Sequence, residues 1–147
     1  MRFVDASVFI HAFIKPKRKL KPHEIEIKES AKEIVKKINE GEKIGLTVIQ
    51  LAEIANILES YMPLKDALQV EEFLLYAPNV KIYGVAKKNC IKALKTAKNK
   101  IIGLNDTIAY IVMLENKIKE IYSFDKDFDK LEGIKRITKI NEQSNMK

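Results

Sequence analysis

Apolar residues recur along this chain with two periods, and the switching between them predicts the architecture. Arg2-Phe-Val-Asp5 is a short buried strand, and Ala6 to Phe13 begins a helix. Ile27, Ala31, Ile34, Val35 and Ile38 share helical spacing between Ile25 and Glu40, and Gly41 marks the stop. Lys43 to Val48 is a second strand, followed by a helix from Ile49 to Ser60 with Leu51, Ile54, Ala55 and Leu58 on one stripe. Pro63 breaks that pattern, and Leu64 to Tyr76 is another amphipathic helix. Val80 to Tyr83 is a brief strand and Ala86 to Lys98 a helix. Asn105 is the expected cap of a helix from Asp106 to Asn116, apolar on nearly every face and therefore buried. Glu120 to Phe124 makes a fourth strand, and Ile134 to Ile140 is a candidate fifth. Between the first two helices, Pro16 and Pro22 bracket a basic run that reads as a loop.

Short strands alternating with helices predict an α/β domain, with helices flanking a central, mainly parallel sheet of four or five strands. At 147 residues and 46% hydrophobic, the chain supports one such core. The expected organisation is a single domain over 1–141 with a short polar tail over 142–147. No uncharged apolar run reaches the length of a membrane span, and Asp5 interrupts the apolar start in a way that does not suit a secretory signal. Cys90 is the sole cysteine, so a thiolate cluster is excluded. These features point to a cytoplasmic protein. Lys and Arg exceed Asp and Glu for a net charge of +7, which suits either a nucleic-acid partner or a Lys-rich soluble surface.

The predicted elements give the acidic residues their meaning. Asp5 ends the first strand, Asp125 follows the fourth, Asp106 opens the buried helix, and Glu53 lies one turn into the helix after the second strand. In a parallel sheet, ligands gather at the carboxyl edge. Four carboxylates there repel one another unless they share protons or hold a divalent cation. Oxygen-only ligation, with no Cys or His nearby, favours Mg2+ or Mn2+ over zinc. Each acid also has an ordinary reading: Asp5 as a helix cap, Glu53 as a solvated helix residue, Asp106 as a first-turn acid, and Asp125, Asp127 and Asp129 as a solvated turn. Asp125-Lys-Asp127-Phe-Asp129 has the first spacings of a calcium loop, but Lys130 and Arg136 stand where that loop needs Gly and Glu. The strand and Asp-x-Asp of a dehalogenase-type phosphatase would require most of a domain after it, and too little chain remains.

Taken together, the motifs resemble the PIN-domain family, most closely its VapC-type toxin ribonucleases. VDASVFI resembles the first motif through Asp5 and Ser7, and TVIQLAEI the second through Glu53. NDTIAYIVM resembles the third through Asp106, and YSFDKDF the fourth through Ser123 and Asp125. The resemblance spans Arg2 to about Ile140. Gln50 departs from it, standing where such toxins often carry a small hydroxyl residue, and Asp127 competes with Asp125 for the fourth acid. The resemblance implies a metal-dependent endoribonuclease with Asp5 and Asp106 as direct ligands. Glu53 and Asp125 would act through waters or a second ion, and Ser123 would orient a carboxylate, with Ser7 and Asp127 in support. It also implies RNA as substrate, contacted by lysines such as Lys15, Lys17, Lys19 and Lys21 together with Arg18, a small antitoxin partner, and a homodimer in which Leu64 to Tyr76 is a candidate interface. His11 is expected to pack rather than react. Competing roles are ribosomal RNA processing or decay, an inactive scaffold, and a receiver-type phospho-acceptor. The receiver fits poorly, because Ala6 and Ser7 follow Asp5 and the third strand ends in Tyr83-Gly84.

Overall fold

The computed structural model describes residues 1–140. Five strands form one sheet: β1 (Arg2–Val4), β2 (Ile44–Thr47), β3 (Val80–Tyr83), β4 (Glu120–Tyr122) and β5 (Lys135–Ile137). All pairings are parallel, and the spatial order is β3-β2-β1-β4-β5. The chain winds outward from β1 on one side and then returns to β1's other side with β4. The carboxyl ends of β1 and β4 therefore flank a topological switch point, where such sheets form ligand crevices. A receiver-type sheet runs in the order 2-1-3-4-5, so this order removes that alternative.

Side chains alternate across the sheet with a period of two, and each face collects its own core. Val4, Ile44, Leu46, Tyr122 and Ile137 face α1 (Ala6–Phe13), α2 (Pro22–Asn39), α3 (Val48–Tyr61) and α4 (Leu64–Tyr76). Phe3 and Ile121 face α5 (Lys87–Lys100) and α6 (Leu104–Glu115), joined by Phe128 and Leu131. This is the expected three-layer arrangement. Burying each such side chain contributes roughly 1.5–3 kcal/mol. Gly45 is required by that packing, because a Cβ there would lie 2.9 Å from the Phe3 ring and 3.0 Å from Tyr83.

The last two strands are shorter than expected, ending at Tyr122 and Ile137, and two helix starts also differ from expectation. Pro22 is the first residue of α2 rather than part of the loop, and proline at that position gives up only an N–H that would have no helical partner. Glu24 secures this start by accepting from the Lys21 backbone nitrogen at 2.9 Å, while both of its oxygens take the Arg18 fork at 2.8 and 2.6 Å. Asn105 is not the cap of α6. Gly103 holds that position, and its carbonyl accepts from both the nitrogen and the hydroxyl of Thr107 at 3.2 Å. The helix itself is buried from Thr107 to Met113. The tail expected over 142–147 lies outside the described residues. No helix among the described residues is long and apolar enough to cross a membrane.

Candidate active site

Asp5 follows β1 directly and is 4% exposed. Its backbone nitrogen donates to the Tyr122 carbonyl at 2.9 Å, stitching the ends of β1 and β4 together. Its Oδ2 accepts from the Ser123 hydroxyl at 2.9 Å and, more distantly, from the Ser7 backbone nitrogen at 3.4 Å. The second contact makes Asp5 the N-cap of α1. The capping and site readings are thus compatible in one carboxylate. Ser7 reciprocates by accepting from the Phe124 backbone nitrogen at 3.1 Å.

Glu53 stands in the second turn of α3, and Asp106 in the first turn of α6, where the helix dipole favours a negative charge. Asp125 caps a single 3₁₀ turn, Lys126–Lys130, by accepting from the Asp127 backbone nitrogen at 2.9 Å. That turn carries Asp127 inward: one carboxylate oxygen from each of Asp106, Asp125 and Asp127 lies within 4.8 Å of the others. Asp127 also pairs with Lys130 at 3.1 Å. Asp129 points elsewhere and binds the Arg136 fork at 3.0 and 3.1 Å.

The electrostatics show that the acids sense one another. Burial, then repulsion from Asp5, Asp125 and Glu53, pushes the Asp106 carboxyl up from 3.8 to about 7. Burial raises Asp5 too, with Asp125 adding to the rise and hydrogen bonds from Ser7 and Ser123 opposing it. Glu53 is raised by burial and by the charges of Asp5 and Asp125. No Lys or Arg contributes to any of these three shifts. Asp5, Glu53 and Asp106 thus repel one another without a compensating cation, whereas Asp127 is paired with Lys130. The closely spaced set, Asp106, Asp125 and Asp127, offers only oxygen donors, which fits a hard, partly hydrated divalent ion, while Asp5 and Glu53 lie outside that set and reach Asp106 through their charge.

Gln50 has a role that its departure from the family motif concealed. It is buried at 1% exposure, and its Oε1 accepts from the Thr47 nitrogen at 2.7 Å while its Nε2 donates to the Val4 carbonyl at 3.3 Å. The Thr47 hydroxyl in turn accepts from the Gln50 nitrogen at 3.0 Å. This reciprocal cap ties α3, which bears Glu53, to the last residue before Asp5. The Thr47-Val-Ile-Gln50 spacing of a capping box was the readable signal. His11 is exposed, with its ring edge-on to Phe124 at 5.5 Å.

The fold, the switch point and the acid pocket together define a PIN-type domain. A PIN domain family model matches residues 2–134, and the chain belongs to that family. No curated protein matches the sequence. Among solved structures, the chain is similar to VapC20 of Mycobacterium tuberculosis, described as a sarcin-ricin loop cleaving toxin. The two share 17% identity with a TM-score of 0.67, over 88% of this chain and 93% of that one. A toxin-antitoxin complex from Klebsiella pneumoniae and VapBC2 of Rickettsia felis, bound to a promoter DNA fragment, each share 11% identity. Both have a TM-score of 0.62, over 92% of this chain and 96% of theirs.

Proposed function

We propose that this protein is a divalent-metal-dependent endoribonuclease acting as the toxin of a VapBC-like toxin-antitoxin pair. One observation carries the reading: four acids from separate elements converge beside the β1–β4 switch point, with Asp106 raised to about 7 by burial and its neighbours' charge. Family membership and the toxin neighbours support RNA as the substrate and toxin action as the role. A cytoplasmic setting and a single-domain organisation over 1–141 accord with it.

Asp5 and Asp106 are the proposed direct ligands of Mg2+ or Mn2+. Glu53 and Asp125 complete the site through waters or a second ion, and Asp127 supports them from the 3₁₀ turn. A bound divalent ion would supply Lewis-acid stabilisation and lower the pKa of an attacking water. The chain's own residues set the geometry: Ser123 fixes the direction of Asp5, Ser7 clamps the segment after β4, and Gln50 holds α3 against β1. In the hydrolysis, water adds across the P–O3′ bond. The carboxylate set takes its proton and returns it to the departing 3′ oxygen, which leaves as a hydroxyl while a 5′-phosphate remains.

The antitoxin reading is supported by a groove of about 690 Å³ between α1, α2 and the end of α3. Ile14, Leu20, Ile27 and Tyr61 make it apolar, while Lys15 and Lys17 give it a cationic side suited to an amphipathic acidic segment. The homodimer reading is supported by α4, which buries Ala67 and Leu74 but leaves Leu64, Leu68 and Leu75 exposed. The test of the nuclease proposal is an RNA cleavage assay with wild type and Asp106→Asn, each with magnesium and with chelator. Cleavage by the wild type with magnesium alone supports it. Equal cleavage by the variant, or by the wild type in chelator, overturns it.

A further inference from the structure

The protein's net positive charge is concentrated in one segment. From Phe73 to Asn105 there are seven lysines and no acidic residue. Outside that segment, Lys and Arg number twenty, the same as Asp and Glu, so the segment accounts for the whole net charge of +7. Six of those lysines belong to α5.

Helix α5 buries Asn89, Ala93 and Ala97 against the body of the domain and turns its lysines outward. Lys88, Lys92 and Lys95 share one stripe at spacings of four and three, with Lys87 and Lys98 beside it. From Lys88 to Lys98 the helix rises about 15 Å. Like charges at these spacings oppose helix formation, so helix stability does not account for the pattern. Lys92 pairs with Glu115 at 3.6 Å, but among the described residues no carboxylate lies within 4 Å of the ammonium groups of Lys88, Lys95 or Lys98.

The position of this face gives it a use. Asn89 donates to Glu115 at 2.9 Å, tying the start of α5 to the end of α6. The turn Ile101–Gly103 then brings the last turn of α5 beside the first turn of α6, which bears Asp106. A cationic strip thus ends next to an anionic pocket. That pocket repels phosphates, and a phosphodiester held there needs cations along its continuation.

We infer that the exposed lysine face of α5 is the track along which single-stranded RNA extends from the carboxylate pocket. The inference rests on the nuclease reading and deepens it. Lysines spaced along a helix contact successive phosphates without reading sequence, so the contact is salt-dependent and sequence-tolerant. Ile91 and Leu94, exposed between the lysines, offer apolar surface to unstacked bases.

The test uses the full chain carrying Asp106→Asn, so that RNA is not consumed, and a fluorescein-labelled single-stranded oligoribonucleotide of mixed sequence. Binding is measured across a salt series for this parent and for Lys88→Gln/Lys95→Gln/Lys98→Gln added to it. Each lost phosphate contact lowers the salt slope by about 0.7, so the triple variant should lose a slope of about 2 and bind from ten- to a hundredfold more weakly near 0.1 M salt. A control, Lys36→Gln/Lys37→Gln/Lys43→Gln, makes the same charge change at the end of α2 and just before β2, with α2 packed on the sheet face opposite α5, and should change binding by less than threefold. Unchanged binding in the first triple variant overturns the track, as does equal loss in both triples. So does a fall in oligomeric mass on light scattering that accounts for weaker binding, because it makes the face a self-association surface. A parent that binds no RNA, together with a wild type that cleaves none, overturns the nuclease reading itself.

Discussion

The buried Ser123 hydroxyl donates to Asp5 Oδ2 at 2.9 Å, joining the residue after β4 to the residue after β1. The same oxygen accepts from the Asp125 backbone nitrogen at 3.0 Å, so one hydroxyl orients two of the site's acids. Ser123→Ala removes both contacts and leaves a buried carboxylate with one fewer donor. We expect a stability loss of about 1–3 kcal/mol in chemical denaturation. We also expect a weaker requirement-satisfying affinity for magnesium, seen as a higher half-saturating concentration in cleavage. Unchanged magnesium dependence would limit Ser123 to a packing role.

Asp5 both caps α1 and adds charge to the repelling cluster. Asparagine caps a helix about as well as aspartate. Asp5→Asn therefore retains the cap, relieves repulsion and removes a ligand. The expected outcome is a metal-free melting temperature a few degrees above wild type, with cleavage abolished. A clearly lower metal-free melting temperature contradicts the repulsion argument and leaves the capping geometry as the dominant role of Asp5.

The raised carboxyl of Asp106 makes stability depend on pH in a defined direction. Its ordinary value is 3.8 and its folded value about 7, so between these limits the folded protein holds a proton that the unfolded chain has lost. Folding stability without metal must then fall as pH rises through that window. Metal-free melting temperatures measured from pH 4.5 to 7.5 should decline, and Asp106→Asn should flatten the decline. A slope of equal size in the variant would assign the effect to other groups.

Gln50 offers a test of how the two halves of the site are held. Gln50→Leu deletes the bonds to Thr47 and Val4 inside the core and strands a buried backbone N–H. The expected cost is about 1–3 kcal/mol, with cleavage reduced beyond what the folded fraction explains. Activity that simply tracks the folded fraction would make Gln50 a cap and nothing more.

The contrast between what the residue pattern revealed and what it concealed has physical causes. The strand and helix succession was legible because β1, β2 and α6 bury long apolar runs. The acids were legible because they lie at element ends, where a parallel sheet opens. The cap of α6 was misplaced by two residues because the preceding turn uses Ile101 at φ 56. β-branched residues avoid that region, so nothing in the pattern marks the turn. Pro22 was assigned to a loop because proline breaks helix interiors as readily as it starts helices. Asp127 was placed behind Asp125 because spacing alone cannot show that a 3₁₀ turn capped by Asp125 swings the next acid toward Asp106. Nothing in the spacing of the α5 lysines sets them apart from the basic run between Pro16 and Pro22; it is the α5–α6 hairpin that places their end beside the site.

The central claim is that separate acids share one pocket that a divalent ion makes tolerable. The most direct measurement is the melting temperature with and without millimolar manganese, for wild type and for Asp5→Asn/Asp106→Asn. A ligand that binds only the folded form must stabilise it. The account predicts a rise of several degrees in the wild type and none in the double variant. An equal rise in both would put the ion elsewhere, and no rise in the wild type would contradict the pocket as a metal site.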